Sequence, residues 1–435
     1  MIMKHFHKQS RQVTLLVAAL LALPAFKSFA PPDRTELVFV GSGHKDICTF
    51  RLNLTTGELL AAGPVAEVAA PSFITVSPNR KNLYAVSEGR GKDDSLVNAF
   101  QIDPRSGKLP LLNRQPSGGA GPCHVQVDQS GRDVLVANYN SGSSSVFPID
   151  GWGALGSNSA FVQDTGSSVN PQRQAGPHAH CIVTSPDDRF AFVCDLGLDK
   201  ILVFKFDPLK GTLETNDLPF AKVRPGSGPR HMAFHPNGRF AYVINEMAST
   251  LTVFEYDPSL GVLGKIEEVD LLPADFKGQN TGAEVAVHPS GRFVYASNRG
   301  DDTIVVLGCN PGTGRLTFIE RVSAGGRTPR QFKIDPTGGW LLAADQDSGN
   351  IAVFSIDKKT GHLSPVKNSA LMDTPMCVEF LPPPRSGRRA GTANFDAMDE
   401  TVPEEVPAAP TAPAANPAPA AAPAPVAPTA PAAPQ

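Results

Sequence analysis

The chain has 435 residues, a formal net charge of −3 and 19% charged residues, so it carries no global basic field to hold nucleic acid or an anionic membrane surface. Gly at 39 and Pro at 41, with aromatic residues at only 7%, point to many turns and short strands. Length alone allows about three domains, a count that repeat folds undercut.

The first residues carry Lys4, Lys8 and Arg11, and Val13 to Leu23 is an apolar run too short to span a bilayer. This pattern predicts a secretory signal over residues 1–30, with export to the periplasm or beyond, and a cytoplasmic chain if the signal does not function. Ser28-Phe29-Ala30 offers the small residues of a cleavage site, although Pro31 follows it, so an uncleaved N-terminal anchor is the alternative. No Arg-Arg pair precedes the run and no Cys follows it closely, which disfavours twin-arginine and lipoprotein routes.

Between residues 35 and 382 one pattern recurs. It reads His235-Pro236-Asn237-Gly238-Arg239-Phe240, then Asn245, Phe254, Asp257-Pro258, Gly261 and Leu263. It returns from His288-Pro289-Ser290-Gly291 and from Asp335-Pro336-Thr337-Gly338, and in weaker form from Ser77, Asp128 and Ser185. The anchors Phe50, Phe100, Phe147, Phe204, Phe254, Leu307 and Phe354 are roughly 50 residues apart, the repeat length of four-stranded propeller blades. Apolar alternation and turns at Pro-x-Gly and Asp-Pro-x-x-Gly mark each copy as a strand meander. The first copy lacks its inner strand, and Thr374 to Pro382 supplies one. The predicted fold is therefore an all-β, seven-bladed propeller of four-stranded blades, closed by pairing of N- and C-terminal strands in one blade. Residues 383–435 turn to Pro/Ala repeats and are predicted to be a disordered tail that buries no core.

The inner strand starts and the returning strand ends share one rim of the channel, where a concave pocket forms. Successive inner starts read Ser72-Phe73, Cys123-His124, His180-Cys181, Arg230-His231, Ala283-Glu284, Arg330-Gln331 and Met376-Cys377. The returning strands add Asn138, Asp195, Asn245-Glu246, Asn298-Arg299 and Asp345-Gln346. Arginine forks suit carboxylate or phosphate, amides suit hydroxyls, and His with Glu can move a proton. The ring thus predicts a small anionic, hydroxyl-rich molecule, a polyol or an acid. Asn and Asp also close turns, so their repetition is equally explained by structure. Arg230 and Glu246 depart from the repeat and are the stronger functional candidates. His235 and His288, in turns at the opposite mouth, read as structural.

No Gly-x-Ser-x-Gly elbow, Walker loop, Cys-x-x-Cys or His-Glu-x-x-His occurs in the repeat region. His178-Ala179-His180 has no evident third ligand, so neither metal nor cofactor is expected. Six cysteines in an exported chain invite disulfides, and Cys181 could face Cys194, but the pairing stays open.

Arg173-Gln174-Ala175-Gly176-Pro177-His178-Ala179-His180, Gly228-Pro229-Arg230-His231, Asn245-Glu246, Ala283-Glu284, Asn298-Arg299-Gly300 and Pro329-Arg330-Gln331 together resemble the lactonase family of seven-bladed propellers. That family includes bacterial 6-phosphogluconolactonases and a fungal carboxy-cis,cis-muconate cyclase. The resemblance implies a lactone hydrolase acting without a metal, with His180, Arg230, Glu246 and Arg299 as catalytic residues. His178 is an alternative to His180. His124, His178, His231, Asn245, Glu284, Asn298, Arg330 and Gln331 are then the expected substrate-binding residues, and a monomer is expected. The competing readings are a muconate-type cyclase or isomerase and a non-catalytic exported propeller that binds a protein or glycan.

Overall fold

The computed structural model describes residues 34–367 and 369–381. The expected signal segment and Pro/Ala tail lie outside the described residues. Seven antiparallel sheets follow one another along the chain. Blade 1 holds Pro375–Phe380, Thr35–Ser42, Lys45–Asn53 and Leu59–Ala69, from the inside outward. Blades 2, 3 and 4 begin at inner strands Ile74–Val76, Pro122–Val127 and Ala179–Thr184. Blades 5, 6 and 7 begin at Pro229–Phe234, Thr281–Val287 and Pro329–Ile334, and blade 7 carries a fifth short strand, Ala370–Leu371, paired to Asn350–Ile356. Among the described residues no helix is long and apolar enough to cross a membrane.

Closure occurs as the repeat phase requires: Val38 pairs with Phe380, Phe39 with Glu379 and Val40 with Val378. The first and last described strands thereby share blade 1, and the ring has no open edge.

The second strand of each blade is sandwiched between two neighbours, which is why it reads as a nearly continuous apolar run. In Phe240–Asn245, Ala241 and Val243 pack with blade 4 around Phe192 and Val203. Phe240, Tyr242 and Ile244 pack with blade 6 around Val294 and Val305. Strand alternation divides one sequence between two cores.

Turn residues join the blades. Gly261, which ends Asp257-Pro258-Ser259-Leu260-Gly261 in a left-handed turn at φ +69°, lies against the Phe190 ring, where an added Cβ would come within 2.5 Å of it. That contact explains the Asp-Pro-x-x-Gly punctuation. His235 accepts the Asn237 N–H at Nδ1 and donates from Nε2 to the Gly291 carbonyl of the next blade at 2.8 Å. His288 reaches the Gly338 carbonyl in the same way at 2.9 Å. Both histidines fasten one blade to the next, as their turn positions suggested. All six cysteines are free, and Cys181 and Cys194 are register partners without a bond between them.

Candidate active site

Five inner strands carry a register shift near their start, between Pro122 and His124, Ala179 and Cys181, Pro229 and His231, Gly282 and Val285, and Pro329 and Gln331. Such a bulge breaks strict alternation, so neighbouring residues can both serve the channel. Arg230 and His231 do so in blade 5, one bonded to Glu246 and the other to Glu284.

Glu246 is the centre of the rim. Its Oε1 accepts from Arg173 Nη2 at 2.7 Å, its Oε2 accepts from Arg230 Nε at 3.1 Å, and Arg299 Nη2 forms an ion pair with Oε2 at 2.9 Å. Burial alone would raise its pKa, but Arg299, Arg230 and Arg173 outweigh burial and hold the carboxyl at about 2. Glu246 is therefore ionised, with both oxygens committed to guanidinium groups. Burial, with Arg299 and Arg330 nearby, lowers Arg230 to about 9, so it stays charged at neutral pH.

His180 Nε2 lies 3.9 Å from Glu246 Oε2, too long for a hydrogen bond and close enough for electrostatic support. Burial, Arg230 and His231 push its pKa well below the usual imidazole value, so it is neutral. His178 stacks on Tyr139 with ring centroids 4.5 Å apart, and its Nδ1 donates to the Tyr139 carbonyl at 2.9 Å. That bond leaves His178 Nε2 as the acceptor in the neutral ring.

The structure brings together all four expected catalytic residues, His180, Arg230, Glu246 and Arg299. Arg330 is the one rim arginine with no ion pair or side-chain hydrogen bond among the described residues. His124, His231, Glu284 and Gln331 lie deeper and line a channel cavity of about 320 Å³ together with Phe73 and Lys333. Asn245 and Asn298 are fully buried. The first bonds Thr250 and Thr252 of its own blade, and the second bonds the Leu271 carbonyl and Thr303. Their amides close strands, which is the structural alternative noted for the repeated Asn.

Sequence reasoning missed Arg173 and Tyr139 as members of the cluster. Arg173 Nη2 bonds both Glu246 and the Tyr139 hydroxyl, the latter at 3.2 Å. Arg173 sits in the segment between Ala160–Gln163 and Ala179–Thr184, outside the repeat register, so blade-by-blade alignment could not assign it a rim position. Gln174, fully buried, anchors this segment by donating to the Leu196 carbonyl at 2.8 Å. Asp199 ties it to the approach of Arg230: its carboxylate accepts from Ser168 Oγ, Gly226 N and Gly228 N at 2.5, 2.6 and 2.7 Å. Among the described residues no group of three or more His, Cys, Asp or Glu is placed to hold a metal ion.

Charge balance defines the chemistry. Three arginines, 173, 230 and 299, hold one ionised carboxylate, and Arg330 stands near Arg230 and Arg299 without an ion pair among the described residues, leaving positive charge for an oxyanion and for an acidic substituent. His180, neutral and 3.9 Å from Glu246, can accept a proton beside that charge.

The family described as "Lactonase, 7-bladed beta-propeller" matches residues 37–380. The 6-phosphogluconolactonase of Bacillus subtilis is 37% identical over 344 residues, covering 79% of this chain and 96% of the relative. The 6-phosphogluconolactonase of Formosa agariphila is 34% identical over 332 residues, covering 73% of this chain and 90% of the relative. Among solved structures, the periplasmic gluconolactonase of Pseudomonas aeruginosa superposes with a TM-score of 0.75 at 31% identity, covering 80% of this chain and 99% of that one. Fold, length and sequence agree, and the chain belongs to the lactonase family of seven-bladed β-propellers.

Proposed function

We propose that the protein is a carboxylic ester hydrolase that opens a sugar-derived lactone at the Glu246 mouth of the channel, in the manner of a 6-phosphogluconolactonase. The carrying observation is the cluster of Arg230 and Arg299 on one Glu246 oxygen, 3.9 Å from a neutral His180. The names of the relatives support the same reaction class.

In this reading a water attacks the lactone carbonyl carbon and His180 takes its proton. Glu246 then faces an imidazolium and stabilises it. Arg230 and Arg299, already oriented by Glu246, hold the developing oxyanion. The ring C–O bond breaks, the ring oxygen receives the proton from His180, and the open hydroxy acid leaves. Glu246 itself is a poor base because three guanidinium groups occupy its oxygens. Its role is to keep the arginines in place.

Arg330 is available for an acidic group on the substrate, a phosphate or a carboxylate. Export to the periplasm accords with the basic and apolar N-terminal segments and with the periplasmic Pseudomonas relative. Plain and phosphorylated aldonolactones differ in that acidic group, so the charge requirement decides between them.

The test is hydrolysis of phosphorylated and plain gluconolactones by purified protein, followed by pH-stat. We expect His180→Asn to lose ~100-fold in kcat and His178→Asn to lose less. Arg330→Gln should raise KM for the phosphorylated lactone alone. Parental kcat in His180→Asn would transfer the base to His178, and no hydrolysis of either lactone by the parent would remove the reading.

A further inference from the structure

Below the rim, Arg230 is fixed by bonds that lead away from the substrate space. Its Nη1 donates to the Ala283 carbonyl at 2.7 Å and stands 3.3 Å from His231 Nε2. A guanidinium group can only donate, so His231 Nε2 is the acceptor. Burial, Arg230 and Arg330 hold the His231 pKa well below the usual value, and the ring is neutral. Its single proton is therefore on Nδ1, which donates to Glu284 Oε2 at 3.1 Å. The other carboxylate oxygen, Oε1, accepts the Val285 N–H at 2.9 Å. Arg230, His231 and Glu284 are 2%, 3% and 8% exposed, and this row of bonds joins blade 5 to blade 6.

We propose that Glu284 and His231 are positioning residues for Arg230, with Glu284 setting the His231 tautomer that receives the Arg230 Nη1 hydrogen. The proposal rests on the lactonase reading for its kinetic part and on geometry alone for its tautomer part.

The Glu284 side chain must accept two hydrogens at once, from Val285 N and His231 Nδ1. Only an ionised carboxylate does so. A protonated acid or an amide accepts one and turns a donor toward the other. Facing His231, that donor would move the ring proton to Nε2 and set it against Arg230 Nη1.

The groups facing Glu284 are Arg230 and His231 of blade 5, His124 of blade 3, Lys333 of blade 7 and Cys377 of blade 1. Burial raises the carboxyl to about 7, with Arg230, the Val285 N–H, Lys333 and His124 offsetting part of the rise. As pH falls through this value Glu284 gains a proton and the relay is lost, so activity should fall on the acid side of neutrality.

The experiment has two arms. Long-range ¹H–¹⁵N spectra of histidine-labelled wild-type protein, with His231 assigned from His231→Asn, should show the Nδ1–H tautomer at about pH 8 and its loss below about pH 7. An Nε2–H tautomer at about pH 8 would overturn the relay whether or not any lactone is hydrolysed. In the second arm, Glu284→Gln should behave as the acid form at every pH, with kcat ~10-fold down or more and the limb near neutrality gone. An acid limb unchanged in Glu284→Gln, or a wild-type profile flat from about pH 6 to 8, would overturn the kinetic part. If the variant does not fold, the wild-type tautomer titration decides.

Discussion

Glu246 Oε2 forms an ion pair with Arg299 Nη2 at 2.9 Å across the seam between blades 5 and 6. One carboxylate therefore couples two blades and orients both Arg230 and Arg299. Replacing it leaves three guanidinium groups without their shared counter-ion.

We expect Glu246→Gln to lower kcat/KM by ~100-fold or more, because Arg230 and Arg299 lose the partner that aims them. The buried position makes the change costly to the fold as well, by about 3 kcal/mol near neutral pH. The folded pKa of about 2 lies below the usual 4.5, so this stabilisation is present above about 4.5 and is lost as pH falls toward 2. Urea melts of parent and variant should thus differ most near neutrality and converge at about pH 2. A gap that persists at low pH would contradict the assignment.

Asp164 and Asp195 form a second buried pair, behind His178. Asp195 Oδ1 accepts the His178 N–H at 2.9 Å and the Leu198 N–H at 3.0 Å. Burial and then the Asp195 charge raise Asp164 to about 8, so the two carboxyl groups share one proton. A raised folded pKa gives stability that is complete below about 4 and is lost as pH rises to about 8. Asp164→Asn supplies a permanent N–H donor to Asp195. Its melting temperature should change less between about pH 5 and 8 than that of the parent, and parallel curves would refute the shared proton.

Truncation tests the ring. A chain ending at Pro382 should keep the parental melting temperature within about 2 °C, since the tail composition buries no core. A chain ending at Asp373 lacks Pro375–Phe380 and exposes the edge of Thr35–Ser42, and it should lose cooperative unfolding by calorimetry. Equal melting temperatures for the two would count against closure through blade 1.

The repeat made the propeller legible because each blade must present the same turns and the same two-faced second strand. It also exposed Arg230 and Glu246, whose side chains depart from the residues that the repeat places there. Arg173 was legible as part of a family-like stretch but not as a Glu246 partner, because its segment has no counterpart in the other blades. The roles of His231 and Glu284 depend on which ring nitrogen meets which donor, and sequence spacing carries no such information. Asn245 and Asn298 show the reverse case, in which repetition came from strand-end geometry rather than ligand contact.

The pairing of Val38 with Phe380 has a consequence for how the chain reaches this state. Six blades can form their meanders from local sequence as the polypeptide lengthens, but blade 1 has no inner strand until its last residues are available. The earliest strand must wait, with one edge unpaired, for nearly the whole chain to be made. Contacts of such large sequence separation slow folding. Until the last strand docks, that waiting edge is where the incomplete ring is most prone to pair with another chain.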